Sequence, residues 1–375
     1  MNQTNDTSPA RLTDESCCQL IEQLVAIESF SGNESAASHF LVEQFQQLGY
    51  DDAYVDQAGN AVGIRHAQNK SADADGTTVI LLGHIDTVPG DIPVRVENGI
   101  LFGRGSVDAK GPLATFALAG SMCQLPPDVR LVVVGAVEEE SATSKGARQI
   151  SKDFTADYCV IGEPSSSRAI TLGYKGRVLI DYSIQVDMGH SAGPDRGAAE
   201  FVCEFWQSVL NYCESFNEQK PKLFDQLLPS LRKINSSSDG LTSFGECKIG
   251  IRLPTGFDID AFRSQLNEFA DHGETKAQLK TYAYEPAHRG DRSNLLCRAL
   301  ASAIRELGHK PTYKLKTGTA DMNVVAPIWE CPILAYGPGD SSLDHTPNEH
   351  LHLDEFVEAV RTLTMALNRL GESIS

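Results

Sequence analysis

The sequence predicts an α/β protein with a smaller α+β unit inserted into it, and three observations carry that expectation. Short runs rich in Val and Ile, almost wholly apolar, recur at 77–83 (TTVILLG), 130–137 (RLVVVGAV), 158–162 (YCVIG) and 331–337 (CPILAYG). Runs apolar at successive positions suit strands buried on both faces of a mostly parallel sheet. Helical stretches lie between or beside them, as layered α/β domains require. In the middle of the chain, 178–186 (VLIDYSIQV) alternates instead, which is the pattern of a half-exposed antiparallel strand.

Taken in order, Thr13 followed by Glu15-Ser16 opens a capped helix over 13–26, and Asn33 to Gln47 reads as a second amphipathic helix. Further helices are expected over 112–123, 197–213, 258–270, 294–307 and 353–370. Strands are expected near 230–236, 243–252 and 276–284, and Asn235–Asp239 reads as a loop. The β-α-β-β-α-β order of the middle gives domain boundaries of 1–172 with 286–375 for the larger domain and 173–285 for the insert.

A chain of 375 residues, 41% hydrophobic and 22% charged, is long enough for two cores and too apolar to be disordered. The formal charge of −18 disfavours nucleic acid and anionic membranes as partners. No apolar run approaches the roughly 20 residues of a membrane span, and the polar N-terminus does not read as a secretory signal, so a cytoplasmic protein is expected. The nine cysteines include no CxxC pair and read as reduced thiols.

The chemistry lies in what ends each buried run. TTVILLG leads into His84 and Asp86, RLVVVGAV into Glu138-Glu139-Glu140, YCVIG into Glu163, and CPILAYG through a turn into Asp344-His345; Asp108 sits in the loop GRGSVDAKG. Ligands of open α/β sheets bind beyond the carboxyl ends of the strands, so these residues converge. Each alone has a plainer reading: a surface histidine, a solvated helix start, an N-cap. Together, several carboxylates and two histidines without a clustered lysine or arginine call for bound cations. Imidazole with carboxylate suits zinc, with cobalt or manganese as substitutes, and two ions sharing a carboxylate use five ligands economically. His350 and His352 read as a turn and helix start beyond the site.

GHIDTVP (83–89), GRGSVDAKG (103–111), VEEE (137–140), IGEPS (161–165) and GPGDSSLDHTPNEH (337–350) resemble the two-zinc amidohydrolases, the family of acetylornithine deacetylase and succinyl-diaminopimelate desuccinylase. The narrower likeness, through VEEESATSKGAR, YKGR and KTGTADMN, is to the lysine-biosynthesis deacylases that free lysine or ornithine from a blocked α-amino group. The resemblance implies a zinc-peptidase-like catalytic domain and a ferredoxin-like lid and dimerisation domain. It implies His84, Asp108 and Glu163 around one zinc, and Glu140, His345 and the shared Asp108 around the other. Asp86 would orient His84 and Glu139 would be the general base. The family usually shows Asp-Glu-Glu where this chain has Glu138-Glu139-Glu140, so Glu138 as base with Glu139 as ligand is the alternative register.

The resemblance further implies that His190 of the inserted domain donates to the oxyanion, across the interface of a homodimer. Arg252, Lys175, Arg177, Thr317, Gly318 and Thr319 are candidates for holding the substrate carboxylate. The substrate would be a small N-acyl amino acid, or lysine on a small amino-group carrier protein. Arg65, Lys145, Arg148, Lys175 and Arg177 are candidates for a basic patch facing such a partner. A dipeptidase or carboxypeptidase of the same family would use the same catalytic residues. An inactive metal-binding homologue is a further reading, against which the intact Glu139 counts. The rival from another class is a serine hydrolase using Ser191, since Gly189–Gly193 fits G-x-S-x-G. That reading leaves Asp108, Glu139, Glu140 and Glu163 without a purpose.

Overall fold

The computed structural model describes residues 12–67, 76–190, 192–273 and 275–374, and the chain divides into two compact units. The first comprises 1–173, 290–314 and 320–375; the second comprises 174–289 and 315–319.

In the first unit the strands are β1 (Asp52–Val55), β2 (Ala61–Arg65), β3 (Thr77–His84), β4 (Arg95–Glu97), β5 (Ile100–Phe102), β6 (Val129–Ala136), β7 (Tyr158–Gly162) and β8 (Ala169–Tyr174). The helices that precede or join them are α1 (Asp14–Ala26), α2 (Ser35–Gln47), α3 (Lys110–Met122) and α4 (Lys145–Asp153). The second unit supplies β9 (Gly176–Asp187), α5 (Ala198–Asn217), β10 (Leu228–Ser238), β11 (Thr242–Leu253), α6 (Ile259–Phe269), β12 (Asp271–His272), β13 (Thr275–Glu285) and β14 (His288–Arg289). The remaining elements are α7 (Leu295–Glu306), β15 (Thr312–Lys316), α8 (Asp321–Trp329), β16 (Ile333–Tyr336), β17 (His350–His352) and α9 (Leu353–Ile374).

The main sheet of the first unit runs β1-β2-β6-β3-β7-β16-β8. Its centre, β6-β3-β7-β16, is parallel, whereas β1, β2 and β8 are antiparallel to their neighbours. The sheet is therefore mixed rather than mostly parallel. The central strands carry unbroken apolar runs because they are covered on both sides. In β3, Val79 and Leu81 belong to the core that also holds residues of α1, α3 and α9, while the alternate Ile80 and Leu82 are equally buried. Helix α3 is apolar all round and buried along most of its length. Gly162 lets β7 meet this layer, since a Cβ there would lie 2.9 Å from the Gly83 Cα and 3.0 Å from the Phe116 ring. Thr13 caps α1 through a reciprocal pair with Ser16.

Two local expectations are corrected. His350–His352 form β17, paired antiparallel with β5, rather than a turn. Asn235 to Ser238 continue β10 and pair with residues 243–246 rather than looping out.

The second unit is one antiparallel sheet, β10-β11-β9-β13-β12, with α5 and α6 on one face. Val178, Ile180, Tyr182 and Ile184 of β9 point into the helices, where Tyr182 stacks on Phe205 at 4.2 Å.

Candidate metal centre

The ends of the central strands of the first unit converge on Asp108. Its carboxylate is nearly buried, and its two oxygens face different imidazoles: Oδ1 lies 3.3 Å from His84 Nε2 and Oδ2 lies 3.1 Å from His345 Nε2. The same His345 nitrogen is 3.0 Å from Glu140 Oε1. Among the described residues, donor atoms lying within 4.8 Å of one another form the groups His84–Glu139–Glu140 and Asp108–Glu140–His345. Glu163 is buried at the end of β7, near enough to Glu139 to act on its charge, but belongs to neither group.

Asp86 lies beneath this cluster, fully buried. His84 Nδ1 is 3.0 Å from its backbone oxygen and 3.4 Å from its Oδ1. The Asp86 carboxylate also accepts the N–H groups of Glu139 and Glu140, each at 3.0 Å, and the Ser31 hydroxyl at 2.6 Å. One side chain thus fixes the His84 ring and the chain that carries both glutamates. Glu138 turns the other way, accepting from Thr143 Oγ1 at 2.7 Å and lying 3.6 Å from the Lys145 ammonium. The backbone at Glu138 and at His345 is left-handed (φ 58° and 60°), a strained conformation of the kind that clusters at functional sites.

The electrostatics follow from burial and crowding. Burial, then the neighbouring Glu163 and Glu140 charges, drives the Glu139 carboxyl well above its usual range, against the opposing pull of His84. Burial alone would depress His84, but its hydrogen bonds to Asp108 and Asp86 hold it well above the ordinary imidazole value. His345 is pushed up to about 10 by Asp108 and Glu140. Burial opposes the charge on Asp108, yet His345 and His84 hold its carboxyl below the usual range. Two imidazoles thus favour their protons against three carboxylates, and among the described residues no lysine or arginine ion-pairs with the cluster. A divalent cation in place of those protons satisfies the same donors, so the residue set fits a metal centre.

One supporting residue was not singled out from the sequence. Glu349 is fully buried and accepts the N–H groups of Val107 and Asp108, each at 3.0 Å, and the Arg104 guanidinium at 2.7 Å. Arg104 also donates to the Thr346 carbonyl at 3.2 Å, so the loops carrying Asp108 and His345 are tied together. Both residues lie within the quoted motifs GRGSVDAKG and TPNEH. A buried carboxylate that reads backbone N–H groups leaves no signature in spacing.

In the second unit, Arg252 donates to the Thr319 hydroxyl, which sits 3.4 Å from the Lys175 carbonyl, and Arg177 stands opposite Arg252 in the β9–β11 register. Thr317 and Gly318 lie in the same segment as Thr319. Lys175 is fully buried, and its ammonium donates to the carbonyls of Leu223 (3.3 Å), Phe224 (2.9 Å) and Gln226. With its three donors directed at carbonyls, it is not a surface cation. Two of the other basic candidates have local partners. Arg65 donates to the Gly120 and Cys123 carbonyls, and Lys145 lies against Glu138. His190 is exposed, its Nδ1 accepting the Ala192 N–H at 3.1 Å, and Ser191 lies outside the described residues.

Residues 80–369 match the sequence profile of peptidase family M20/M25/M40. The chain is 46% identical to a LysW-lysine hydrolase of Deinococcus radiodurans, with 99% of each chain covered. It is 29% identical to a LysW-lysine/LysW-ornithine hydrolase of Saccharolobus islandicus, over 78% of this chain and 82% of the other. Among solved structures, the aminopeptidase PepT of Bacillus cereus aligns with a TM-score of 0.76 at 16% identity, covering 96% of this chain and 99% of that one. The M20 family metallo-carboxypeptidase Sso-CP2 of Sulfolobus solfataricus aligns at 0.75 and 15%, covering 95% and 99%, so both share the fold. The profile spans well over half of the sequence, and the chain belongs to peptidase family M20/M25/M40.

Proposed function

We propose that the chain is a two-zinc amide hydrolase that releases lysine, or ornithine, from an amino-group carrier protein during amino-acid biosynthesis. The observation that carries this reading is the Asp108 carboxylate, which offers one oxygen to each of two histidines, as a ligand shared by two cations must. The names of the Deinococcus and Saccharolobus relatives support the substrate class.

His84, Asp108 and Glu163 are assigned to one ion, and Asp108, Glu140 and His345 to the other, with cobalt or manganese as substitutes for zinc. When bound, the ions supply Lewis acidity and lower the pKa of water to about 7. Asp86 keeps the His84 ring oriented, the usual task of a carboxylate behind a ligand imidazole. Glu139, whose carboxyl is poised above its ordinary range, takes the proton of the attacking water and returns it to the leaving amine. Arg252 with Arg177, Thr317, Gly318 and Thr319 holds the substrate carboxylate, a task suited to the guanidinium fork. Lys175 is left out of that set.

We read the second unit as a ferredoxin-like lid and dimerisation domain, supported by its β-α-β-β-α-β order and by the likeness to the two-zinc amidohydrolases. Its exposed His190 would donate to the oxyanion in a partner subunit. Among the described residues no helix is long and apolar enough to cross a membrane, and nine free thiols support a cytoplasmic setting.

The test is a chelator-stripped enzyme reloaded with Zn2+, Co2+ or Mn2+ and assayed on carrier-linked lysine, N-acetyl-lysine, N-acetyl-ornithine and a dipeptide panel. Metal-restored turnover with carrier-linked lysine preferred is the expected result. Preference for dipeptides, or activity that a fluorophosphonate abolishes and a chelator spares, would overturn it.

A further inference from the structure

Strand β6 ends at Ala136, and the four residues that follow leave the sheet with backbone N–H groups that need new acceptors. Each finds a side chain. The Val137 N–H donates to Asn60 Oδ1 at 2.9 Å and the Glu138 N–H to Glu34 Oε1 at 3.3 Å. The Glu139 and Glu140 N–H groups go to the two oxygens of Asp86, each at 3.0 Å. The three acceptors come from separate places in the first unit: Asn60 just before β2, Glu34 just before α2, and Asp86 in the loop after β3. Asn60 is fully buried and Glu34 nearly so.

The acceptors are themselves fixed. Asp56 Oδ1 accepts the Asn60 N–H at 2.9 Å, and its Oδ2 accepts the Asn60 side-chain amide at 2.7 Å. That amide also donates to the Gly146 carbonyl at 3.1 Å, while the Gly146 N–H donates to the Val137 carbonyl at 3.0 Å. Asn60 therefore bridges both ends of the loop 138–145. The neck is so close that a Cβ on Gly146 would lie 2.3 Å from Asn60 Oδ1. Glu34 Oε1 also accepts the Gly32 N–H at 2.7 Å, next to the Ser31 that donates to Asp86.

We propose that Glu34 and Asn60 are positioning residues which, through these backbone N–H groups, select Glu139 and Glu140 out of three consecutive glutamates to face the metal centre; this rests on the metal centre and general base proposed above. A left-handed residue such as Glu138 (φ 58°) persists only where its surroundings over-determine it. Asp86 holds the two residues after it, and Glu34 with Asn60 holds Glu138 itself and the residue before it. With all four N–H groups pinned, the Glu138 side chain is left toward Thr143 and Lys145, and Glu139 and Glu140 join His84. Released at 137 and 138, the segment could pivot about Asp86 and carry both glutamates off line.

The test uses the full chain and four variants. Glu34→Ala removes the acceptor for Glu138, whereas Glu34→Gln keeps an amide oxygen for the same two N–H groups. Asn60→Ala opens the neck of the loop. Tyr50→Phe, which loses a buried bond to the Ala117 carbonyl (2.8 Å), is the control for stability alone. Three readouts are followed: turnover of lysine-loaded carrier protein, zinc competition with a chromophoric chelator, and amide exchange at 137–140 in the metal-free chain. Both Ala variants should lower kcat by about tenfold to a hundredfold with KM within about twofold, weaken zinc binding about tenfold and speed exchange at 137–140. Glu34→Gln should recover most of each effect, and Tyr50→Phe should show none. Wild-type kcat, zinc affinity and exchange in the Ala variants would overturn the proposal. So would a Gln variant no better than Ala, or losses of equal size in Tyr50→Phe. If Asn60→Ala does not fold, the Glu34 pair decides. A wild type that binds no zinc and turns over no substrate defeats the hydrolase reading instead, and the exchange rates then still judge the pinning.

Discussion

The Glu349 carboxylate accepts the Asp108 backbone N–H at 3.0 Å, and through its other oxygen accepts the Arg104 guanidinium at 2.7 Å. The residue at the centre of the cluster is thus held by its main chain as well as by its neighbours. Glu349→Gln can keep one amide oxygen on the Val107 and Asp108 N–H groups, but its NH2 then confronts Arg104. The variant should lose about 2–3 kcal/mol of stability and about tenfold or more in metal affinity. Denaturant unfolding and competition with a chromophoric chelator measure the two effects.

Glu139→Gln preserves shape and removes only the proton acceptor. Its metal content should match wild type, with kcat lowered by about 10²–10⁴. Elemental analysis beside steady-state kinetics checks this, and lost metal would mark Glu139 as a ligand.

The three consecutive glutamates should separate cleanly. Glu140→Gln should release metal, because Glu140 shares His345 with Asp108. Glu138→Gln should bind metal and turn over nearly as wild type, because Glu138 faces Thr143 and Lys145. Metal titration of both variants distinguishes this assignment from the register shifted by one.

In the metal-free protein the His345 proton is held up to about pH 10. The ordinary value of 6.5 stands for the unfolded chain. The stabilisation from its ion pairs is therefore fully present below about pH 6.5 and is lost as pH rises through about 10. Apo-protein Tm should fall across that window, less so in His345→Gln. Added Zn2+ must displace the proton, so metal binding should tighten with rising pH and release acid. Differential scanning fluorimetry and a pH-stat follow both.

Much of the site was legible because chemistry and topology coincide. His84, Glu140 and Glu163 follow apolar runs at the ends of parallel strands, so the residues that end the strands also name the crevice. The strands flanking the parallel centre were less legible, because the antiparallel pairing of β1, β2 and β8 depends on which neighbour the fold provides. β17 was missed because three residues pairing with β5 have no pattern of their own. The surroundings of Lys175 were hidden for a related reason. The sequence offers Lys175 of YKGR as a candidate for the substrate carboxylate, and only the fold brings the carbonyls of Leu223, Phe224 and Gln226 around it. Glu349 acts through backbone N–H groups, which any sequence supplies.

The most direct measurement is the metal stoichiometry of the wild type and of Asp108→Asn, with turnover of carrier-linked lysine followed in parallel. Two equivalents of zinc per wild-type chain, with both weakened and activity abolished in Asp108→Asn, is the expected result. A variant that retains two tightly bound ions, or a wild type that keeps turning over after all metal is stripped, would contradict a shared-carboxylate hydrolytic centre.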